Sequence, residues 1–351
     1  MNRLFSTVLF VLATAFAFIQ APAVSAQSKL QTISLIYSDH SPPDSGGVIF
    51  LKKEYLPKLQ KELAPVGYAL DIKFYHSETL FKVDEEVQAC EDGLIDITLL
   101  SISYEKQQAP LHEIIEMPLM GFDEQSASRT WFELQETIPE FGAEIGKFKE
   151  LMHLVALPAV FNMNKEARVP EDYKGLKIQA SGMVADMLKA AGAEPVLLPP
   201  ADWRTLINNK LLDGIVVGIT GIPMYNVTDV VKVHIQPTGD SLGLNGFSFI
   251  MNRKKYESLP PEVQKVIDDN ALWASERITQ IEIDNIPKYM EVCKKAGNTF
   301  ISLTPSEMMK WYVTIRPLHQ QWIRRMEAMG LPGKKVYDEA KRLAKKYRKS
   351  N

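Results

Sequence analysis

The residues best spaced for covalent chemistry are Gly239-Asp240-Ser241-Leu242-Gly243. A Gly-x-Ser-x-Gly run can hold a nucleophilic serine on a sharp turn from strand to helix. Here the flanking order is wrong, because a strand-like segment follows from Phe247 where such a turn needs a helix. Nothing in the spacing joins an Asp or His to Ser241, so a secreted serine hydrolase using Ser241 is the minor alternative. His112-Glu113 lacks the second histidine of a zinc-protease helix, and the six histidines are scattered. Cys90 and Cys293 have no partner at metal-ligand spacing. With no phosphate-binding glycine loop either, the residues predict neither enzyme, cofactor nor metal site, and they point instead to binding.

Binding residues are expected where strands end. The stretch from Val169 to Gly182 reads as a turn at Pro170, Glu171 and Asp172, a reversal at Gly175, a short strand through Leu176 and Ile178, and a second reversal at Ser181 and Gly182. Gln179 sits at the end of that strand. Ser38, Asp39 and His40 follow the alternating strand Thr32 to Tyr37, where an open α/β sheet meets its ligand; an equal reading makes Ser38 and Asp39 helix caps. Gly218 opens a glycine-rich loop running to Tyr225. Phe161, Trp203, Tyr225 and Phe247 are aromatic faces on which a ring can stack, Asn162 lies beside Phe161, and Arg204 is the nearest cation.

Two units of α/β order must position these residues. Gly93-Leu94-Ile95-Asp96 leads into a strand through Leu100, and Leu212-Asp213-Gly214 leads into Ile215 to Val217, each after a helix. This weak repeat predicts two lobes with a cleft between them. The chain crosses near Leu157 and again near Leu244, which suits hinge closure. Lobe I is expected over residues 27–155 and 245–283, and lobe II over 156–244 and 284–332. Asp202 is read as a helix N-cap, Pro195 to Pro200 as a strand, and Pro287 as a kink in a long helix after Leu259. Thr304-Pro305-Ser306-Glu307 is a capping box. Residues 333–351 form a basic amphipathic helix, either docked or touching a membrane.

Composition agrees with this picture. The 351 residues are 46% hydrophobic and 24% charged, with net charge -3, which fits a globular protein and offers no basic field for nucleic acid. Residues 1–26 carry Arg3, an apolar run from Leu4 to Ile19, and small residues ending in Ala26, the pattern of a signal peptide cleaved after Ala26. The mature chain is then expected in a periplasm. Cys90 and Cys293 form either one disulfide or two buried thiols.

Pro170, Asp172, Lys174, Gly175, Leu176, Lys177 and Ile178 resemble the P-x-D-x-K-G-L-K-I-R segment of solute-binding proteins of tripartite ATP-independent periplasmic (TRAP) transporters. Gly93 to Asp96, Leu212 to Gly214, Met251-Asn252 and Leu259 to Gln264 extend the resemblance over most of the mature chain. It implies a two-lobed fold with a long bridging helix that closes on one small solute and delivers it to integral membrane permease subunits. A ligand-presenting sensor subunit would use the same fold. In the family the last Arg of the segment pairs with a ligand carboxylate, but here that position holds Gln179, an uncharged amide. The family's D-G-x-E-N-P continuation is also absent, with Ile215, Val216, Val217 and Gly218 in its place, so a more apolar pocket is expected. Three ligand classes follow: an organic acid held by Arg204, a neutral or aromatic compound, or an amine held by Asp39.

Overall fold

The computed structural model describes residues 30–156 and 158–348; the signal peptide expected over residues 1–26 lies outside them. Among the described residues, eleven strands form two sheets. The first has the order β2-β1-β3-β10-β4, from Gln31–Ser38 (β1), Tyr68–Tyr75 (β2), Ile97–Ser101 (β3), Phe148–Ala156 (β4) and Asn245–Asn252 (β10). The second has the order β11-β9-β5-β8-β6-β7, from Val160–Met163 (β5), Lys177–Gln179 (β6), Glu194–Val196 (β7), Gly214–Val217 (β8), Val233–Gln236 (β9) and Thr299–Ser302 (β11). β1 runs parallel to β2 and β3, whereas β10 returns antiparallel between β3 and β4. The chain changes sheets between β4 and β5 and between β9 and β10.

Both faces of the first sheet are covered, so its central strands lack polar alternation. All five residues of β3 are buried: Ile97 and Leu99 join one core layer, and Leu100 joins the other. Helices Gly46–Phe50 (α1) and Leu56–Leu63 (α2) cover one face. Glu86–Glu91 (α3), Glu113–Glu116 (α4), Glu124–Thr137 (α5) and Pro139–Glu144 (α6) cover the other. Gly182–Ala190 (α7), Pro200–Asn208 (α8) and Gly221–Met224 (α9) belong with the second sheet, and Arg253–Glu257 (α10) follows β10.

The weak repeat has a physical basis in both sheets. An Asp side chain just before a strand accepts a backbone N–H from its neighbour: Asp96 from Ile36 at 2.8 Å, and Asp213 from Lys177 at 2.8 Å. Each aspartate thereby locks two parallel strands in register.

Two helices span both units. Pro261–Lys295 (α11) buries Val263, Ile267, Ala274 and Ile278 against the first sheet, and its later residues Ile283, Ile286 and Cys293 pack with the second. The helix continues through Pro287, where a kink was expected. Pro305–Ala328 (α12) opens on the capping box, with Thr304 and Glu307 bonded reciprocally. Trp311 and Ile315 of α12 lie in the second core, but Trp322, Ile323 and Met326 lie in the first, so residues 284–332 do not all pack with lobe II. Gly333–Tyr347 (α13) docks Val336, Ala340, Leu343 and Ala344 into the first core beside α5.

Other expectations need correction. Helix α8 is capped by Pro199 and starts at Pro200, placing Asp202 in its first turn, because a proline at the first helical position sacrifices no needed N–H. The strand expected from Pro195 to Pro200 pairs only as Glu194–Val196, since the prolines after it cannot donate. Cys90 and Cys293 are separate buried free thiols, one in each unit, which rules out the disulfide. No described helix is long and apolar enough to cross a membrane.

Candidate functional site

A cavity of about 120 Å³ lies where the two sheets face each other. Leu99, Leu154, Ala156, Phe247 and Phe249 bring the first sheet to its wall; Val217, Gly218, Met224 and Tyr225 bring the second. Glu282 enters from α11. The scale suits one ring, since an apolar cavity of ~150 Å³ holds benzene.

β1 delivers Asp39 and His40 to this cavity, and the sequence fixes both. Asp39 Oδ2 accepts from the Tyr37 hydroxyl at 2.9 Å, and Oδ1 accepts from His76 Nδ1 at 2.9 Å. With both oxygens engaged, Asp39 serves mainly as an anchor for the turn. His40 Nδ1 donates to Glu86 Oε2 at 3.2 Å, and no described residue bonds its Nε2. Burial opposes charge on His40, but the bond and charge of Glu86, with help from Asp39 and Glu78, raise its pKa above the ordinary value. Across the cavity wall, Ser45 caps α1 by accepting from Val48 N. Gly46 lets α11 approach: a Cβ there would stand 1.9 Å from Glu282 Oε1. Burial raises the Glu282 carboxyl, while the Thr220 side chain opposes the shift.

Of the residues expected at the site, the structure brings Asp39, His40, Gly218, Tyr225 and Phe247 together. Ser38 is buried one residue short of the cavity and its hydroxyl finds no partner. Gln179 is 3% exposed and does not line the cavity. It pairs with Ile215, and β8 reaches the wall only at Val217. Phe161 stacks on Trp311 at 5.3 Å within the second core. Asn162 donates to the carbonyls of Val160, Ile215 and Val217 and accepts from His234. Trp203 donates to Leu198 O and packs edge-on against Tyr225 at 5.0 Å, so it supports the wall from behind. Arg204 is held on the surface by Asp229 and does not line the cavity.

Ser241 has no base. Its hydroxyl donates to Gly243 O at 2.6 Å and accepts from Gly243 N at 3.0 Å, forming a local turn between β9 and β10. Among the described residues no group of His, Cys, Asp and Glu is arranged to hold a metal.

The model of bacterial extracellular solute-binding protein family 7 (DctP) matches residues 51–325, well over half of the chain. The chain belongs to that family. Among curated relatives, the C4-dicarboxylate-binding periplasmic protein DctP of Rhodobacter capsulatus is 23% identical over 274 residues, covering 74% of this chain and 78% of its own. Among solved structures, a marine metagenome TRAP solute-binding protein specific for aromatic acid ligands superposes with a TM-score of 0.83. It is 25% identical and covers 90% of this chain and 100% of its own. A Rhodoferax ferrireducens TRAP solute-binding protein has a TM-score of 0.82 at 22% identity, covering 90% of this chain and 98% of its own. The chain is therefore a TRAP-type solute-binding protein: it takes a small organic solute, works with membrane permease subunits, and is not an enzyme.

The solute-binding protein departs from its family's usual acid grip. No Lys or Arg is among the described residues that line the cavity, and His40 is the single lining side chain able to carry positive charge. Sequence reasoning missed Glu282, Met224, Val48 and Leu154. The one signal for Glu282 was the Gly46-Gly47 pair, which marks a close backbone approach without naming what approaches.

Proposed function

We propose that this chain captures a compact, single-ring organic solute in the cavity formed by Asp39, His40, Tyr225, Phe247 and Glu282. The carrying observation is the cavity's make-up: mostly apolar and aromatic walls from both sheets, one ring in size, closed on one side by the bridging helix. The marine metagenome relative, solved once with metahydroxyphenylacetate and once with 3-hydroxybenzoate, supports this size and class. We further propose that the chain is exported, with cleavage after Ala26, and presents its solute to the permease from the periplasm.

A thermal-shift panel of ring acids, neutral aromatics and amines tests the reading. A ligand at ~100-fold its Kd stabilises by about 2.7 kcal/mol. Tyr225→Ala and Phe247→Ala should each weaken the best hit at least tenfold. A panel without hits, or a hit indifferent to both substitutions, removes this cavity as the solute site.

A further inference from the structure

Two groups at the cavity that can carry charge near neutral pH lack a full set of described protein partners, and they differ in character. His40 Nε2 has no described partner, while Nδ1 is held by Glu86. Glu86 is fully buried and its second oxygen is unpartnered. Glu86 strengthens the imidazole's hold on its proton against the burial that opposes it, while burial also raises the Glu86 carboxyl itself. With Nδ1 turned to Glu86, a protonated His40 presents Nε2–H as the one charged donor that the described lining offers a solute anion. Glu282 offers the opposite: a carboxyl seated against the Gly46 backbone, with the Thr220 side chain beside it. Asp39 adds no third point, because Tyr37 and His76 occupy both of its oxygens. A plain ring acid would leave the Glu282 carboxyl unmet, and a plain amine would leave His40 unmet. Unpaired buried polar groups are what let a site reject a ligand lacking one hydroxyl.

We infer that the cavity selects a ring acid that also carries a hydroxyl, with His40 Nε2–H donating to the carboxylate and Glu282 accepting from the hydroxyl. This rests on the reading of the cavity as the solute site. His40 thus takes the place of the missing guanidinium, and Glu282 supplies specificity from the bridging helix.

Calorimetric titration of the full mature chain with benzoate, the three hydroxybenzoates, 3-methoxybenzoate and benzylamine tests it. The best hydroxybenzoate should bind at least tenfold tighter than benzoate or the methoxy compound. Glu282→Ala should abolish that preference, bringing the best hydroxybenzoate to the affinity that the same variant has for benzoate, and Glu282→Gln, which keeps an acceptor, should restore part of it. His40→Ala should weaken benzoate and hydroxybenzoates alike. Ligand-free melting curves identify any variant that fails to fold, and the wild-type ranking decides without variants. The inference is overturned if benzoate matches the best hydroxybenzoate, if benzylamine binds tightest, or if Glu282→Ala weakens all acids equally. It is also overturned, with the solute site intact, if these six compounds are silent while another class in the wider panel binds at Tyr225 and Phe247. Silence from every class would instead remove the solute-site reading itself.

Discussion

Glu116 shows how much a single buried carboxyl costs this fold. Its oxygens accept from Ser103 Oγ at 2.8 Å and from Gly246 N at 3.0 Å. Burial nevertheless raises its pKa from 4.5 to about 7; those two bonds and Lys106 oppose the shift, and Glu113 adds to it. The folded chain therefore holds a proton that the unfolded chain releases. The resulting stability is fully present below about pH 4.5 and is lost as pH rises through about 7. Glu116→Gln stays neutral throughout, so relative to it the wild type should lose up to about 3 kcal/mol between pH 5 and 8. Urea melts of both proteins across that range would show a constant difference if the carboxyl were not protonated. At this scale the sequence was readable where a side chain follows a strand directly, as Asp39 and His40 do. It marked Glu282 only through the Gly46-Gly47 pair, since this is one charged residue among many on a long helix and its importance comes from packing across the chain. Gln179 was legible as a strand end, but the register of β6 on β8 sets it behind the wall.

The terminal helix α13 illustrates the same point one level up. Its basic side chains Arg342 and Lys346 reach Glu133 on α5, but exposed ion pairs of this kind contribute little. The apolar face holds it. Leu343 is fully buried, and Leu343→Ala should cost about 2–5 kcal/mol in urea denaturation. Solute affinity should stay within twofold, because no residue of α13 lines the cavity. A variant as stable as wild type would mean that the helix is not docked in solution. Periodicity and caps revealed this helix, α11 and the capping box of α12, since these are local signals. Short β7 and the start of α8 were misread because proline-rich segments owe their shape to neighbouring strands.

At the scale of the molecule, four connections among the described residues join the units: two strand crossings and the helices α11 and α12. Side chains also meet across the gap. Lys106 donates to Gly182 O at 3.1 Å and faces Asp186 at 3.5 Å. Gly182, with φ +59°, leaves only enough room for Glu116, whose Oε2 would stand 2.3 Å from an added Cβ. Gly182→Ala should therefore hold the units apart. Its Kd for the best solute should rise, and the solute-induced fall in radius of gyration measured by X-ray scattering should shrink. A wild-type protein whose radius is the same with and without saturating solute would argue against closure altogether.

The separation of Cys90 from Cys293 has a practical corollary. Burial pushes the two sulfurs up to about 12 and about 11, so neither is readily ionised for exchange chemistry. Maturation thus requires no oxidant or isomerase, and the same native state should be reached in a reducing cytosol as in an oxidising compartment.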